Sequence, residues 1–203
     1  VACCVRVIPL LSFLPHTRQI SDFRNAKTIT ISTLNTMRAI IALGSNLGDP
    51  EENLCRAARH LRRLSDGPLR SSSIWRTAPV GFEDDVPEFC NAVVIIETEL
   101  SAAVLLESLQ IIEREMGRDR DAGNQYSSRT IDLDIIDLGG QELDSLTVNL
   151  PHPRAHSRRF VLQPLREVEP EFRFVDRPES LEELIEKAPA DPVRQSSPLI
   201  LSG

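Results

Sequence analysis

The sequence predicts an α+β fold, a ferredoxin-like sandwich in which helices pack on a largely antiparallel sheet. Four segments of strand length carry alternating or continuous apolar residues, and two longer segments repeat apolar residues at the helical period. They follow one another in the order β-α-β-β-α-β, before a hairpin and two further helices. This order is typical of ferredoxin-like connectivity.

The first strand and helix are marked by signals at their ends. Arg38–Leu43 predicts a buried strand. Asp49 is the predicted N-cap of a helix that has Pro50 in its first turn, and Gly67-Pro68 ends that helix. The intervening Gly44–Gly48 is rich in glycine, but no G-K-[S/T] follows it, which excludes a P-loop. We interpret it as a backbone turn.

The remaining elements are predicted from the same kinds of signal. They are strands at Leu69–Thr77, Phe89–Glu97, Arg129–Ile135 and Leu146–Leu150, a helix capped by Ser101 and ended by Gly117, a hairpin from Gly139-Gly140 into Gln141–Leu143, a helix running from Phe160, and a last helix begun by a capping box of Ser180 and Glu183.

The composition of the 203 residues excludes several classes of protein. The chain is 41% hydrophobic and 26% charged, as is ordinary for one globular domain, and its net charge of −7 offers no basic surface for nucleic acid. No apolar run reaches the roughly 18–20 residues that span a bilayer. The four cysteines form no C-x-x-C pair, which argues against a disulfide framework or a zinc site and favours the cytoplasm. We expect a monomer with no nucleic-acid or membrane partner.

We divide the chain into an N-terminal extension at 1–36, a domain at 37–187 and a C-terminal tail at 188–203. The tail has three prolines and little pattern. The extension is basic and rich in Ser and Thr, and a secretory signal, a transit peptide or a working start at Met37 would each account for it. We favour the start at Met37, because strand-like sequence begins there at once.

Asp132 and Asp134 lie two residues apart, and the residues around them, Ile131, Leu133 and Ile135, are apolar. Side chains alternate across a strand, so both carboxylates should face one side and the three hydrophobic residues the other. Two carboxylates about 6–7 Å apart suit hard divalent cations, and a pair of metals about 3.5–4 Å apart can share them. The alternative is a solvated strand face with two surface acids.

Three polar segments, at 77–91, 118–134 and 152–160, are not explained by core formation. They offer two acids for magnesium, several arginines and a histidine for phosphates, and two phenylalanines with Asn91 for a flat heterocycle. Asn91 fits equally well as a strand-end amide that bonds its own backbone. We expect a mobile loop at 118–128, which has few hydrophobic residues. This inventory suits phosphoryl-type transfer, in which catalysis is mostly positioning and charge neutralisation.

From Arg38 to about Val175 the chain resembles the 6-hydroxymethyl-7,8-dihydropterin pyrophosphokinase family of folate biosynthesis. The combination of R-T-I-D-L-D at Arg129–Asp134 with a downstream L-P-H-P-R carries the resemblance. The supporting motifs are A-L-G-S-N-L-G at Ala42–Gly48, R-T-x-P-x-G at Arg76–Gly81, E-F-x-N-A at Glu88–Ala92, G-R-x-R at Gly117–Arg120 and a later R-x-F-V-L-x-P-L. Residues 1–36 match nothing in the family, and Tyr126 stands in the long loop where many members carry Trp.

The resemblance implies an ATP-dependent diphosphotransferase, which passes the β,γ-pyrophosphoryl group of ATP to the hydroxymethyl oxygen of the pterin and leaves AMP. Asp132 and Asp134 would hold two Mg²⁺ ions, and Arg118 and Arg129 would stabilise charge during the reaction. The residues implied in pterin binding are Thr77, Val80, Phe89, Asn91 and Phe160. Those implied in ATP binding are Gln110, Glu113, Arg120, Ile135, His152 and Arg158.

Two other functions would use the same features. A two-metal phosphodiesterase or nuclease would use the same D-x-D, but it would need a water-activating base and a cationic track, and the acidic balance of the chain counts against it. A non-catalytic nucleotide- or pterin-binding module would keep the fold. The presence of the expected acids and arginines argues against that module.

Overall fold

The structure is a computed structural model that describes residues 36–78, 87–118, 129–190 and 193–200. Its strands are β1 (Met37–Ser45), β2 (Arg70–Ser71), β3 (Ser73–Thr77), β4 (Phe89–Thr98), β5 (Asp132–Leu138), β6 (Leu143–Asp144), β7 (Asn149–Leu150) and β8 (Val193–Pro198). Its helices are α1 (Pro50–Arg62), α2 (Ala102–Glu115), α3 (Arg159–Val168) and α4 (Leu181–Lys187), with a short 3-10 turn at Ala155–Ser157 before α3. Within those ranges no helix combines the length and the hydrophobicity needed to cross a bilayer.

The main sheet has the order β5-β1-β4-β3-β8, with β2 paired to β4, and every described pairing in it is antiparallel. The first four strands of this order are the arrangement that β-α-β-β-α-β connectivity produces in a ferredoxin-like fold. The predicted α+β class is therefore confirmed. The sheet places β1 and β4 at its centre and β5 at one edge.

Alternation along the strands divides the core into two layers. Ile41 and Leu43 of β1 belong to the layer that includes the inner faces of α1 and α2, whereas Ile40 belongs to the layer that includes α3 and α4. Ile40 and Ile41 are completely buried, and each such side chain stabilises the fold by about 1.5–3 kcal/mol relative to exposure. Within the described residues, helices thus cover the main sheet on both faces.

The predicted helix starts are confirmed. The carboxylate of Asp49 accepts a hydrogen bond from the Glu52 N–H at 3.1 Å, and Ser101 caps α2 in the same way. Ser180 and Glu183 form the expected capping box at the start of α4. Since these bonds satisfy backbone N–H groups that lack a partner inside the helix, they fix where each helix begins.

The predicted hairpin after Gly139-Gly140 is wrong. Both glycines have positive φ and turn the chain, but β6 then pairs with β7 in a separate two-stranded sheet rather than with β5. The predicted strand at Leu146–Leu150 is reduced to β7. The reason is that other groups occupy the outer edge of β5, where the carbonyl of Ile136 accepts from the His152 N–H at 3.0 Å.

The C-terminal segment differs from the irregular tail predicted at 188–203. Val193–Pro198 forms β8, which pairs with β3. Its sequence shows little apolar alternation, and four of its six residues are exposed, so hydrophobic patterning could not reveal it. Backbone pairing along the open edge of β3 creates this strand.

Candidate active site

Strand β5 carries the two acids at one edge of the main sheet. Ile131, Leu133 and Ile135 are buried in the core layer beneath α1 and α2. Asp132 and Asp134 point to the opposite face, where their side chains keep 27% and 40% of their exposure. The predicted alternation is therefore present, and the carboxylates are accessible to a ligand.

Asp132 lies between two arginines. Arg129 donates from Nη1 to Asp132 Oδ2 at 2.6 Å, and Arg118 donates from Nη1 to Oδ1. These two guanidinium groups approach from opposite ends of the segment 119–128, which lies outside the described residues. A carboxylate offers about four lone-pair positions, so Asp132 can still bind a cation while these bonds persist.

Asp134 and His152 form the second half of the acidic face, with His152 Nε2 lying 3.9 Å from Asp134 Oδ2. Burial raises the pKa of Asp134, and the nearby charge of Asp132 adds to the effect. Burial also lowers the pKa of His152 to about 4, helped by the positive charges of Arg158 and Arg154. His152 is therefore neutral at pH 7 and presents an imidazole, not a cation.

The residues present fit a hard divalent cation. The donors on this face are carboxylate oxygens, which Mg²⁺ prefers, and their mutual repulsion is what a cation would relieve. Within the described ranges no group of three or more His, Cys, Asp or Glu side chains is arranged as a metal site. A site built on two carboxylates leaves most of the coordination shell to phosphate and water, as is usual for Mg²⁺.

Glu113 of α2 is fully buried and connects that helix to β5. Its Oε1 accepts from the Leu133 N–H at 2.8 Å and from Arg118 Nη1. The carboxylate thus holds Arg118 in place beside Asp132. The structure does not bring it to the surface where the resemblance implies an ATP contact.

Two other residues implied in ATP binding lie on different sides of the site. Gln110, one turn before Glu113 on α2, is half-buried. The side chain of Ile135 packs in the core on the far face of β5 and is only 5% exposed, so the structure does not bring it together with the acids.

Four of the residues implied in pterin binding lie on β3, β4 and α3. Asn91 donates from Nδ2 to Thr77 Oγ1 at 3.0 Å, and both residues are buried. The amide of Asn91 is thus held by a side chain, in contrast to the alternative of a bond to its own backbone. Phe89 and Phe160 are half-buried, and the guanidinium carbon of Arg158 lies 5.5 Å from the centre of the Phe160 ring. Val80, like Arg120 and Tyr126, lies outside the described residues.

Gly44 joins the two halves of the site, a role missed when Gly44–Gly48 was interpreted as a backbone turn. It pairs with Asn91 of β4 on one side and with Asp132 of β5 on the other. A Cβ atom at this position would lie 3.3 Å from Asn91 Oδ1 and 3.9 Å from Asp132 Cβ. A side chain here would press on the Asn91 amide, so the glycine lets Asn91 and Asp132 flank this position without displacement. A glycine at the end of a strand, next to polar residues, was the available signal.

The rest of this turn holds the backbone of Arg129. Sequence reasoning named Arg129 but missed this role of the turn. Asn46 is 2% exposed, its Oδ1 accepts from the Arg129 N–H at 2.7 Å, and its own N–H donates to the Arg129 carbonyl at 3.1 Å. Asn53 of α1 supports the turn by donating to Ser45 Oγ and to the Leu47 carbonyl. Short-range sequence patterns do not report a contact across 83 positions.

Comparison with known proteins identifies the family. Residues 40–170 match the family model described as 7,8-dihydro-6-hydroxymethylpterin-pyrophosphokinase. This chain belongs to that family. The expectation drawn from the sequence motifs is confirmed, and the acids and arginines described above lie within the matched residues.

Two bacterial relatives of the pyrophosphokinase family illustrate the extent of the similarity. Both are named 2-amino-4-hydroxy-6-hydroxymethyldihydropteridine pyrophosphokinase. The protein of Haemophilus influenzae is 43% identical over 131 residues, which are 64% of this chain and 80% of the relative. That of Bacillus subtilis is 42% identical over 131 residues, or 64% of this chain and 77% of the relative.

Among solved structures, the wild-type HPPK-DHPS protein of Plasmodium falciparum has a similar fold. The TM-score is 0.58 at 14% sequence identity, over 75% of this chain. The chain spans 45% of that protein's length. At this sequence identity the likeness shows a shared fold and nothing more.

Proposed function

We propose that this chain transfers the pyrophosphoryl group of ATP to 6-hydroxymethyl-7,8-dihydropterin, yielding AMP and the pterin diphosphate for folate biosynthesis. The observation that carries the proposal is the position of Asp132. It is held between Arg118 and Arg129 and lies across Gly44 from Asn91. Charge neutralisation for phosphate and recognition of a heterocycle thus lie on the two strands that flank β1, β5 and β4.

In this reaction the pterin hydroxymethyl oxygen attacks the β-phosphorus of ATP. The bond from that phosphorus to the α,β-bridging oxygen breaks, the bridging oxygen leaves with AMP, and the hydroxyl proton is released. Little covalent chemistry falls to the protein, so its contribution is alignment and electrostatic stabilisation. Asp132 and Asp134 would hold two Mg²⁺ ions, which supply neutralisation of phosphate charge when bound.

The arginines and His152 would bind the phosphates. Glu113 holds the guanidinium of Arg118, and Asn46 holds the backbone of Arg129. A planar guanidinium matches two phosphate oxygens. His152 is neutral and has an imidazole N–H to donate to a phosphate oxygen. Arg158 lies near it and adds positive charge. Gln110, Arg120 and Ile135 stay predicted ATP contacts.

The pterin would bind between β3–β4 and the start of α3. Thr77 fixes the Nδ2 side of the Asn91 amide, which leaves Oδ1, on the side of Gly44, to accept from a ring N–H. Phe89 and Phe160 would stack on the pterin faces. In this pose the hydroxymethyl group would point toward the acids of β5. Val80 stays a predicted pterin contact.

The decisive experiment incubates the full chain with ATP, MgCl₂ and the hydroxymethyl dihydropterin, and separates the nucleotides by chromatography. We expect AMP and the pterin diphosphate in equal amounts. Formation of ADP, or AMP that does not depend on the pterin, would contradict the proposal. Asp134→Ala should abolish turnover, whereas Asp144→Ala, which removes an exposed acid on β6, should not change it.

The monomeric state, the cytoplasmic location and the lack of nucleic-acid and membrane partners stay predictions from composition. Sedimentation of the purified chain and fractionation of cells that produce it would test the first two. The division into an extension at 1–36 and a domain at 37–187 is likewise a proposal. Comparing the activity of the full chain with that of a version starting at Met37 would test it.

A further inference from the structure

Strand β8 pairs with β3 on the side away from β4. Three consecutive residues of β3 pair on one side with Phe89, Cys90 and Asn91 of β4. On their other side the same three residues pair with Val193, Arg194 and Gln195 of β8. The edge of β3 is thus closed by the C-terminal segment opposite the residues proposed to bind the pterin.

A bidentate ion pair connects β8 to the start of β4. Arg194 Nη1 lies 2.8 Å from Glu88 Oε1, and Nη2 lies 2.8 Å from Oε2. Glu88 immediately precedes Phe89, and Val193 pairs with Thr77. The guanidinium of Arg194 therefore reaches across β3 to Glu88, the residue next to the proposed pterin contact Phe89. The neighbouring residue Val193 pairs with Thr77, a second proposed pterin contact.

A second set of bonds connects β8 to the start of α1. Glu51 accepts from Arg76 Nη2 at 2.6 Å, from Ser196 Oγ at 3.2 Å and from Ser197 Oγ at 3.0 Å. Arg76 Nε also donates to Ser196 Oγ at 3.2 Å. Because Arg76 lies next to Thr77, these bonds restrain β3 at the position where it meets the pterin residues.

We propose that β8 is a positioning element for the pterin site and that Arg194, through its fork with Glu88, is its main positioning residue. This inference rests on the proposed function and extends it, since β8 begins 23 residues beyond Pro170, where the family match ends. Arg194 acts on the pterin through Glu88 and β3, not by contact. The ATP side of the site, on β5 and α2, has no such connection among the described contacts of β8.

The test compares steady-state kinetics of the wild type, Arg194→Ala, Arg194→Lys and the charge swap Glu88→Arg/Arg194→Glu. Arg194→Ala should raise the KM for the pterin about two- to fivefold, the range of one exposed, well-aligned ion pair, with the KM for ATP unchanged. Arg194→Lys should recover part of the loss, because it keeps the charge but not the fork. The charge swap should restore the pterin KM to within about twofold of wild type.

A matched control removes another exposed ion pair away from β3. Lys187→Ala, which removes the partner on α4 in the 3.0 Å pair with Glu179, should leave both KM values unchanged. A chain ending at Ala190 lacks β8 altogether and should lose more than tenfold in pterin affinity, measured by quenching of pterin fluorescence without ATP. The Arg194 variants decide the matter if the shortened chain does not fold.

The results distinguish a failure of this inference from a failure of the proposed function. Normal wild-type turnover with an unchanged pterin KM in Arg194→Ala would overturn the inference alone. An equal rise in both KM values, without rescue by the charge swap, would do so as well, since that pattern indicates general destabilisation. Absence of pterin-dependent AMP formation by the wild type would overturn both.

Discussion

Asn46 bonds both backbone polar groups of Arg129. The side-chain Oδ1 of Asn46 accepts from the Arg129 N–H at 2.7 Å, and the Asn46 N–H donates to the Arg129 carbonyl at 3.1 Å. Arg129 in turn bonds Asp132 at 2.6 Å. Asn46, in the turn between β1 and α1, thus fixes the backbone that carries a proposed catalytic guanidinium, although it contributes no charge to the site.

Replacing Asn46 with Ala should therefore reduce kcat as well as stability. It removes the partner of a partly buried N–H, which costs about 1–3 kcal/mol of unfolding free energy. It also removes one of the two bonds that hold the backbone of Arg129, and we expect kcat to fall about tenfold, with the KM for the pterin little changed. Asn149→Ala removes a similar side-chain bond in the β6–β7 sheet, which makes no bond to Arg129 among the described residues, and serves as the control. Equal kcat values for the two variants would show that Asn46 does not act through Arg129.

Replacing Asp134 with Asn should abolish turnover and yet stabilise the metal-free protein. Burial and the charge of Asp132 raise the pKa of Asp134, so the folded state holds this proton more tightly than the unfolded state. Protonation of Asp134 therefore stabilises the fold at low pH, and this stability is lost as the pH rises from the pKa of the unfolded state through the raised pKa of the folded state. A neutral amide at position 134 avoids that loss. Thermal unfolding at pH 7.5 in EDTA should give a higher Tm for the variant. Adding MgCl₂ should raise the Tm of the wild type only, and a similar response of both would contradict the metal assignment.

Adding a methyl group at Gly44 should impair pterin binding selectively. The new Cβ would lie 3.3 Å from Asn91 Oδ1, closer than side chains ordinarily approach, and Asn91 would have to shift away from its aligned position. We expect a several-fold rise in the KM for the pterin in Gly44→Ala. Gly67→Ala is the matched control, because its Cβ would meet Glu97 at an ordinary 3.5 Å. A wild-type pterin KM in Gly44→Ala would mean that the space between Asn91 and Asp132 is not used.

The stability of the wild type should fall in acid because of His152. Its folded-state pKa of about 4 lies below the ordinary value of 6.5, so the unfolded state takes up a proton first as pH drops. The resulting loss begins near pH 6.5, continues to about pH 4, and amounts to as much as about 3 kcal/mol. Urea unfolding in EDTA at pH 7.0 and 4.5 should show a larger decrease for the wild type than for His152→Asn. Parallel decreases would show that His152 titrates normally.

The fold and the acidic face could be predicted because both depend on local signals. Period-two alternation places Asp132 and Asp134 on the face opposite Leu133, and cap residues such as Asp49 and Ser180 mark where helices begin. These features need no knowledge of distant parts of the chain. The resemblance to the family then indicates which polar residues belong together.

What could not be predicted depends on contacts between distant segments. Asn46 looks like any turn residue until Arg129 is placed against it, and β8 has no apolar pattern because its partner is the backbone of β3. Glu113 shows the reverse case. Its helical position is evident from sequence, but its complete burial follows from the bonds it makes to β5 and Arg118.

The position of β5 at the sheet edge also bears on self-association. An edge strand offers unpaired backbone groups on which another molecule can add a strand and begin a fibril. Here the Leu133 N–H is taken by the carboxylate of Glu113, and the Ile136 carbonyl by the backbone of His152. Residues of the proposed active site therefore also block the addition of a further strand to this edge of the sheet. Glu113→Ala should remain competent to fold but should form concentration-dependent oligomers that light scattering detects.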